Sequence, residues 1–140
     1  MTHFVLHPQL EQDSELVTEL ALCSVRLIND ANYPWLILVP RVANISDVID
    51  LNAAQQQILW QESAMVSRAL KYLFTPDKLN IAALGNMVPQ LHLHHIVRYQ
   101  HDVSWPKPIW GQVVSKAYSS EQLIKQIDII KSEIKARNDT

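Results

Sequence analysis

From Gln90 to Val97 the side chains alternate one for one, with Leu91, Leu93, His95 and Val97 on one side and Gln90, His92 and His94 on the other. A period of two belongs to a β-strand. The pattern predicts a strand over Pro89 to Tyr99 that buries one face and displays two imidazoles on the opposite one. Proline suits the first residue of such a strand. Leu79 to Leu84 reads as the preceding strand, and Gly85-Asn86 as the turn that makes the two a hairpin. Upstream, Ala21 to Asn29 alternates, with Cys23, Val25 and Leu27 on one face. Asn29 to Pro34 breaks the pattern as a turn, and Trp35 to Arg41 is almost continuously apolar, as in a central strand covered on both sides.

Helical spacing marks three other stretches. Ile58, Leu59, Met65, Val66, Ala69, Leu70 and Leu73 follow an Asn52/Gln55 capping pair and predict a long amphipathic helix that stops before Pro76. Leu123, Ile127, Ile130 and Ile134 predict a C-terminal helix over 119–137. His7-Pro8 opens a short helix, with Leu10, Val17 and Leu20 as its apolar side. The order of elements predicts an α+β fold in a single domain over 1–140: an antiparallel sheet with a long helix packed on one face and an additional C-terminal helix.

Composition narrows the class without naming a chemistry. A chain of 140 residues that is 48% apolar and 19% charged buries roughly two thirds of its unfolded surface and needs no staple. Its longest apolar run, Trp35 to Val39, is too short to span a membrane. The N-terminus has no basic start, apolar stretch and small-residue cleavage site, so a cytoplasmic protein is expected. The single cysteine, Cys23, reads as a small buried hydrophobe. Twelve basic against 14 acidic residues, with no dense basic cluster, disfavour a nucleic-acid polymer as partner. A small phosphate ligand needs only a few local donors.

The row Gln90, His92, His94 is the candidate chemistry. Neutral imidazole is both nucleophile and general base near pH 7. One histidine can attack a phosphorus while its protonated neighbour, the Gln90 amide and the Gly85-Asn86 turn donate to the phosphoryl oxygens. Two other readings stand beside this one. The imidazoles can be hydrogen-bonded packing residues, or His92 and His94 can be two ligands of a metal site that draws the rest from distant residues.

The segment Gly85-Asn86-Met87-Val88-Pro89-Gln90-Leu91-His92-Leu93-His94-His95-Ile96 resembles the signature of the histidine-triad nucleotide-binding and hydrolase family: three histidines alternating with apolar residues. His92 falls at the middle position and His94 at the third, while Gln90 occupies the first, where the family has histidine. His95 stands where the family has an apolar residue and faces away. Leu27-Ile28-Asn29-Asp30 and Tyr33-Pro34-Trp35-Leu36-Ile37-Leu38-Val39-Pro40-Arg41 are similar to the family's first two core strands and the turn between them, so the likeness covers roughly residues 4 to 111. It implies that His92 attacks the α-phosphorus of a nucleotide to form a nucleotidyl-histidine intermediate, with His94 and Gln90 completing the catalytic set. It also implies that Asn29 or Asp30 holds the ribose, Leu27 and Trp35 border the base, and Asn86 donates to phosphate. Arg41 and Arg98 are further phosphate candidates, and the loop from Trp105 to Trp110 a candidate cover. The expected enzyme hydrolyses nucleotide phosphoanhydride or phosphoramidate bonds, with no cofactor or metal, as a homodimer. A nucleotide-binding module without turnover is the alternative that Gln90 raises.

Overall fold

The computed structural model describes residues 3–139, which run α1 (Pro8–Asp13), β1 (Ser14–Glu19), β2 (Cys23–Ile28), β3 (Trp35–Pro40), α2 (Ala53–Phe74), β4 (Lys78–Ala83), β5 (Leu93–Arg98) and α3 (Ser120–Asn138). The strands form one sheet in the order β1-β2-β3-β5-β4, and every neighbouring pair is antiparallel. Bringing β5 between β3 and β4 puts the histidine strand inside the sheet, where its backbone is held from both sides.

Register sorts the side chains between two faces. Val25 lies opposite Leu38, Leu27 opposite Leu36, Leu36 opposite His95 and Leu38 opposite Leu93. Directly opposed residues share a face, and this one is covered by Leu59, Val66, Ala69 and Leu70 of α2 and Ile130 and Ile134 of α3. The two α3 isoleucines are fully buried, each contributing about 1.5–3 kcal/mol, which fixes the C-terminal helix against α2. Both helices start as their sequences direct. Asn52 and Gln55 form a reciprocal capping box, and Ser119 Oγ accepts from the Gln122 amide. On the opposite face Leu10 of α1 packs on Ile37 and Val39, so β3 is covered twice, as its unbroken apolar run requires.

Two expectations are corrected. The N-terminal helix is only six residues long; Val17 is a residue of β1, and Leu20 follows that strand. A register shift between Leu16 and Thr18 breaks the alternation that would have revealed an edge strand, and the glutamates on either side hide it further. The histidine strand begins at Leu93 rather than Pro89, and a loop, not a two-residue turn, joins it to β4. β3 ends at Pro40, which has no N–H with which to extend the ladder, and the Leu91 amide donates to the Ile45 carbonyl at 3.0 Å.

At the far end of β5, Arg98 is buried and held by Asp102, at 2.8 Å from Nε and 3.1 Å from Nη2, and by Asn80. Its guanidinium also lies over the rings of Tyr33 and Trp105. Burial acts to raise the Asp102 carboxyl, but Arg98 and the amides of Tyr99, Ser104 and Trp105 outweigh it and hold the group at about 2. This cluster pins the start of the loop that continues to Trp110.

Candidate active site

A cleft of about 800 Å³ opens on the face of the sheet away from α2 and α3. Its floor is His92 and His94. Leu10, Gln12 and Asp13 come from α1, Ile28 to Asp30 and Trp35 from the β2–β3 turn region, Leu84 to Val88 from the loop after β4, and Trp110 and Ser115 from the segment before α3. Among the described residues no lysine or arginine lines it, so an anion there would be held by N–H dipoles.

The two imidazoles lie with ring centroids 4.8 Å apart. Ala82 of β4 and Ile37 of β3 flank His94 in register, and a residue as small as alanine leaves room beside it. His92 Nδ1 sits 2.7 Å from the Gln90 backbone carbonyl. A carbonyl only accepts, so Nδ1 carries the hydrogen and Nε2 keeps its lone pair. Burial lowers the His92 pKa, with the Gln90 carbonyl acting against it and His7 adding to the depression, which favours the neutral ring. Burial, reinforced by His92 and His95, pushes His94 down to about 3. His94 is therefore a neutral donor at pH 7 rather than the protonated one the sequence pattern suggested.

Other candidates fall differently. Trp35, Asn29, Asp30 and Asn86 line the cleft. Asp30 Oδ1 accepts from the Asn32 amide and side chain and from the Lys116 amide, while Oδ2 takes part in none of these bonds. Asn29 Oδ1 accepts from the Tyr118 amide. Both side chains thus anchor the segment leading to α3 as well as facing the cleft. Leu27 does not border it. That residue is fully buried against the helix side of the sheet, and Ile28, one position on, lines the cleft because alternation carries it to the other face. Gln90 is also displaced: its Oε1 accepts from the His7 amide and its Nε2 donates to the Val5 carbonyl, so the side chain straps down the N-terminal segment. Arg41 pairs with Glu19 and the carbonyls of Leu20 and Ala21, and neither it nor Arg98 lines the cleft. The tryptophan loop divides, with Trp110 edge-on to His94 and Trp105 stacked on Arg98.

Sequence reasoning missed the contribution of α1, since nothing in Leu10, Gln12 or Asp13 marks a cleft wall 80 residues upstream of the histidines. It also missed the bond from Trp35 Nε1 to His94 Nδ1, 2.9 Å long. Strand register held the signal, because Trp35 and Ile37 lie opposite Ile96 and His94. Among the described residues no group of three or more His, Cys, Asp or Glu side chains is placed to hold a metal, and no helix is long and apolar enough to cross a membrane.

Comparison with known proteins agrees with this geometry. The model of the HIT domain matches residues 9–101. A histidine triad protein from Marinobacter aquaeolei is 46% identical, with a TM-score of 0.93 over 96% of this chain and 98% of its own. One from Bradyrhizobium japonicum is 44% identical, with a TM-score of 0.92 over 95% and 99%, and one from Sinorhizobium meliloti is 39% identical, with a TM-score of 0.90 over 93% and 96%. None of the curated proteins matches. An antiparallel α+β sheet carrying two neighbouring imidazoles at the floor of a cleft, with a matching domain model and near-full-length relatives, makes this chain a member of the HIT domain family, the histidine-triad nucleotide-binding proteins and hydrolases.

Proposed function

We propose that the protein is a nucleotide hydrolase or transferase that cleaves a phosphoanhydride or phosphoramidate bond at the α-phosphate of a nucleoside monophosphate group through a nucleotidyl-His92 intermediate. The observation that carries this reading is the 2.7 Å bond from His92 Nδ1 to a backbone carbonyl. It leaves Nε2 free to attack, and as phosphorus binds there the same carbonyl stabilises the positive charge that spreads to Nδ1–H. A backbone group does the orienting, so glutamine at position 90 leaves the nucleophile intact and the non-catalytic alternative loses its main support. The cleft has the size of a mononucleotide pocket. His94 Nε2–H and Asn86 supply donors for the phosphoryl oxygens, Asp30 Oδ2 an acceptor for a ribose hydroxyl, and Ile28, Leu10 and Trp35 apolar walls for a base.

The edge strand β4 exposes Ile81, which suits a homodimer that continues the sheet across a two-fold, and a cytoplasmic location fits a nucleotide substrate. Incubation with diadenosine polyphosphates and adenosine phosphoramidate tests the activity. Release of adenosine monophosphate, abolished in His92→Ala with nucleotide binding retained, is the expected result; binding without release, or release that survives the substitution, overturns it.

A further inference from the structure

His92 and His94 carry opposite tautomers. An indole nitrogen only donates, so the 2.9 Å bond from Trp35 Nε1 requires His94 Nδ1 to be the bare nitrogen, and the hydrogen of the neutral ring is on Nε2. Protonating His94 would set an Nδ1–H against the indole N–H, donor against donor. The ring's immediate neighbours are aromatic and apolar. Trp35 stands tilted at 5.6 Å and Trp110 edge-on at 5.1 Å, while Ile37 and Ala82 flank it on the neighbouring strands. Among the described residues, the titratable groups near it are His92 at its side, with His7 acting on that ring, His95 behind the sheet, and Asp13 and Asp30 elsewhere in the cleft wall. Arg98, two residues past the adjacent ladder pair, is saturated by Asp102 and Asn80.

We propose that Trp35 is a positioning residue that holds His94 as a permanently neutral Nε2–H donor, and that the cleft consequently serves nucleotides whose leaving group departs without taking a proton from the enzyme, phosphoanhydrides in preference to phosphoramidates. The leaving-group half rests on the nucleotidyl-transfer reading above. In the first step the Nε2 lone pair of His92 forms the N–P bond, the anhydride P–O bond breaks, and its electron pair leaves on the departing phosphate oxygen with no proton transferred. In the second, water attacks phosphorus, the N–P pair returns to Nε2, and the water proton passes to that nitrogen and on to solvent. A phosphoramidate differs at the first step, because its breaking P–N bond would place the electron pair on an amide anion unless a proton arrives with it. His94 gives the transition state a hydrogen bond but no proton.

Two measurements on the unaltered protein decide the matter. Histidine nitrogen NMR is expected to show His94 with Nε2 protonated and Nδ1 bare from pH 8 to pH 5; an Nδ1–H resonance, or titration near pH 6–7, overturns the positioning role. The ratio of kcat/KM for diadenosine triphosphate over adenosine 5′-phosphoramidate is expected to be on the order of 100, the usual worth of an acid catalyst; equal rates or a preference for the phosphoramidate overturn the leaving-group half while nucleotidyl transfer stands. Release of adenosine monophosphate from neither compound brings down the nucleotidyl-transfer reading and the leaving-group half together, and the His94 resonances still judge the tautomer. Trp35→Phe keeps the ring and removes the donor. It is expected to mix the His94 tautomers, to restore titration toward the ordinary histidine range, and to lower the substrate ratio below pH 6, whereas an unchanged His94 spectrum contradicts the role of the indole.

Discussion

His94 and His95 are neighbours in the chain and opposites in the fold. His95 is fully buried beneath α2, with Nδ1 3.1 Å from the Leu93 carbonyl and Nε2 2.7 Å from Ser63 Oγ, so both nitrogens are engaged. His94, like His92, has one nitrogen engaged by the protein and faces the cleft with the other. The same contrast separates two carboxylates. Asp102 takes bonds from Arg98 and three backbone amides, whereas Asp30 keeps an oxygen clear of its three donors. A buried polar side chain with all its partners inside the protein holds the fold together; one with a vacant position turned to a cavity is available for chemistry.

The sharpest way to break this contrast is to truncate each ring. His92→Ala should lower turnover on the order of 1,000-fold or more, with the melting temperature almost unchanged. His95→Ala should leave kcat/KM within a few-fold and cost about 2–4 kcal/mol of stability, read in urea, because it opens a cavity and strands the Ser63 hydroxyl. A folded His95→Ala protein as inactive as His92→Ala would end the distinction. Arg98→Met should cost about 3–5 kcal/mol by leaving Asp102 buried and unpaired, and urea midpoints for it and for the double substitution with Asp102→Leu should show part of the loss recovered.

Acid sharpens the same comparison. His94 and His95 sit at about 3 and about 4 in the folded protein, below the ordinary histidine value of 6.5. Between those limits the unfolded chain binds more protons than the folded one, so stability is complete at pH 7 and declines as pH falls through that window. For His95 the full loss is about 3 kcal/mol. Asp102 adds a second decline lower down, as pH falls from the ordinary carboxylate value of 3.8 toward about 2. Thermal unfolding from pH 7.5 to 4 should show the first decline, and His95→Leu should flatten it. The smallest effect is expected at Gln90. Gln90→Ala keeps the carbonyl that orients His92 and loses only the strap to Val5 and His7, so kcat should fall less than about tenfold, measured beside His92→Ala.

Much of this was legible before folding. The capping box at Asn52 and Gln55, the α3 isoleucines and the opposite faces of His94 and His95 all follow from local periodicity, which one sequence displays in full. The Leu27 placement failed by one residue, because resemblance supplied a role and only the sheet's two faces decide which neighbour fills it. The bond from Trp35 to His94 and the walls from α1 depend on which strands pair and in what register, information carried by contacts far apart in the chain. Edge strand β1 was hidden by its bulge, where the backbone departs from the period that reveals strands.

Rapid acid-free quenching of a reaction with diadenosine triphosphate, followed by mass spectrometry of the intact protein and of its peptides, tests the account most directly. The predicted result is one adenylyl group on Nε2 of His92, formed and lost at rates that match turnover. Adenosine monophosphate released with no adduct, or an adduct on any other residue, would contradict it.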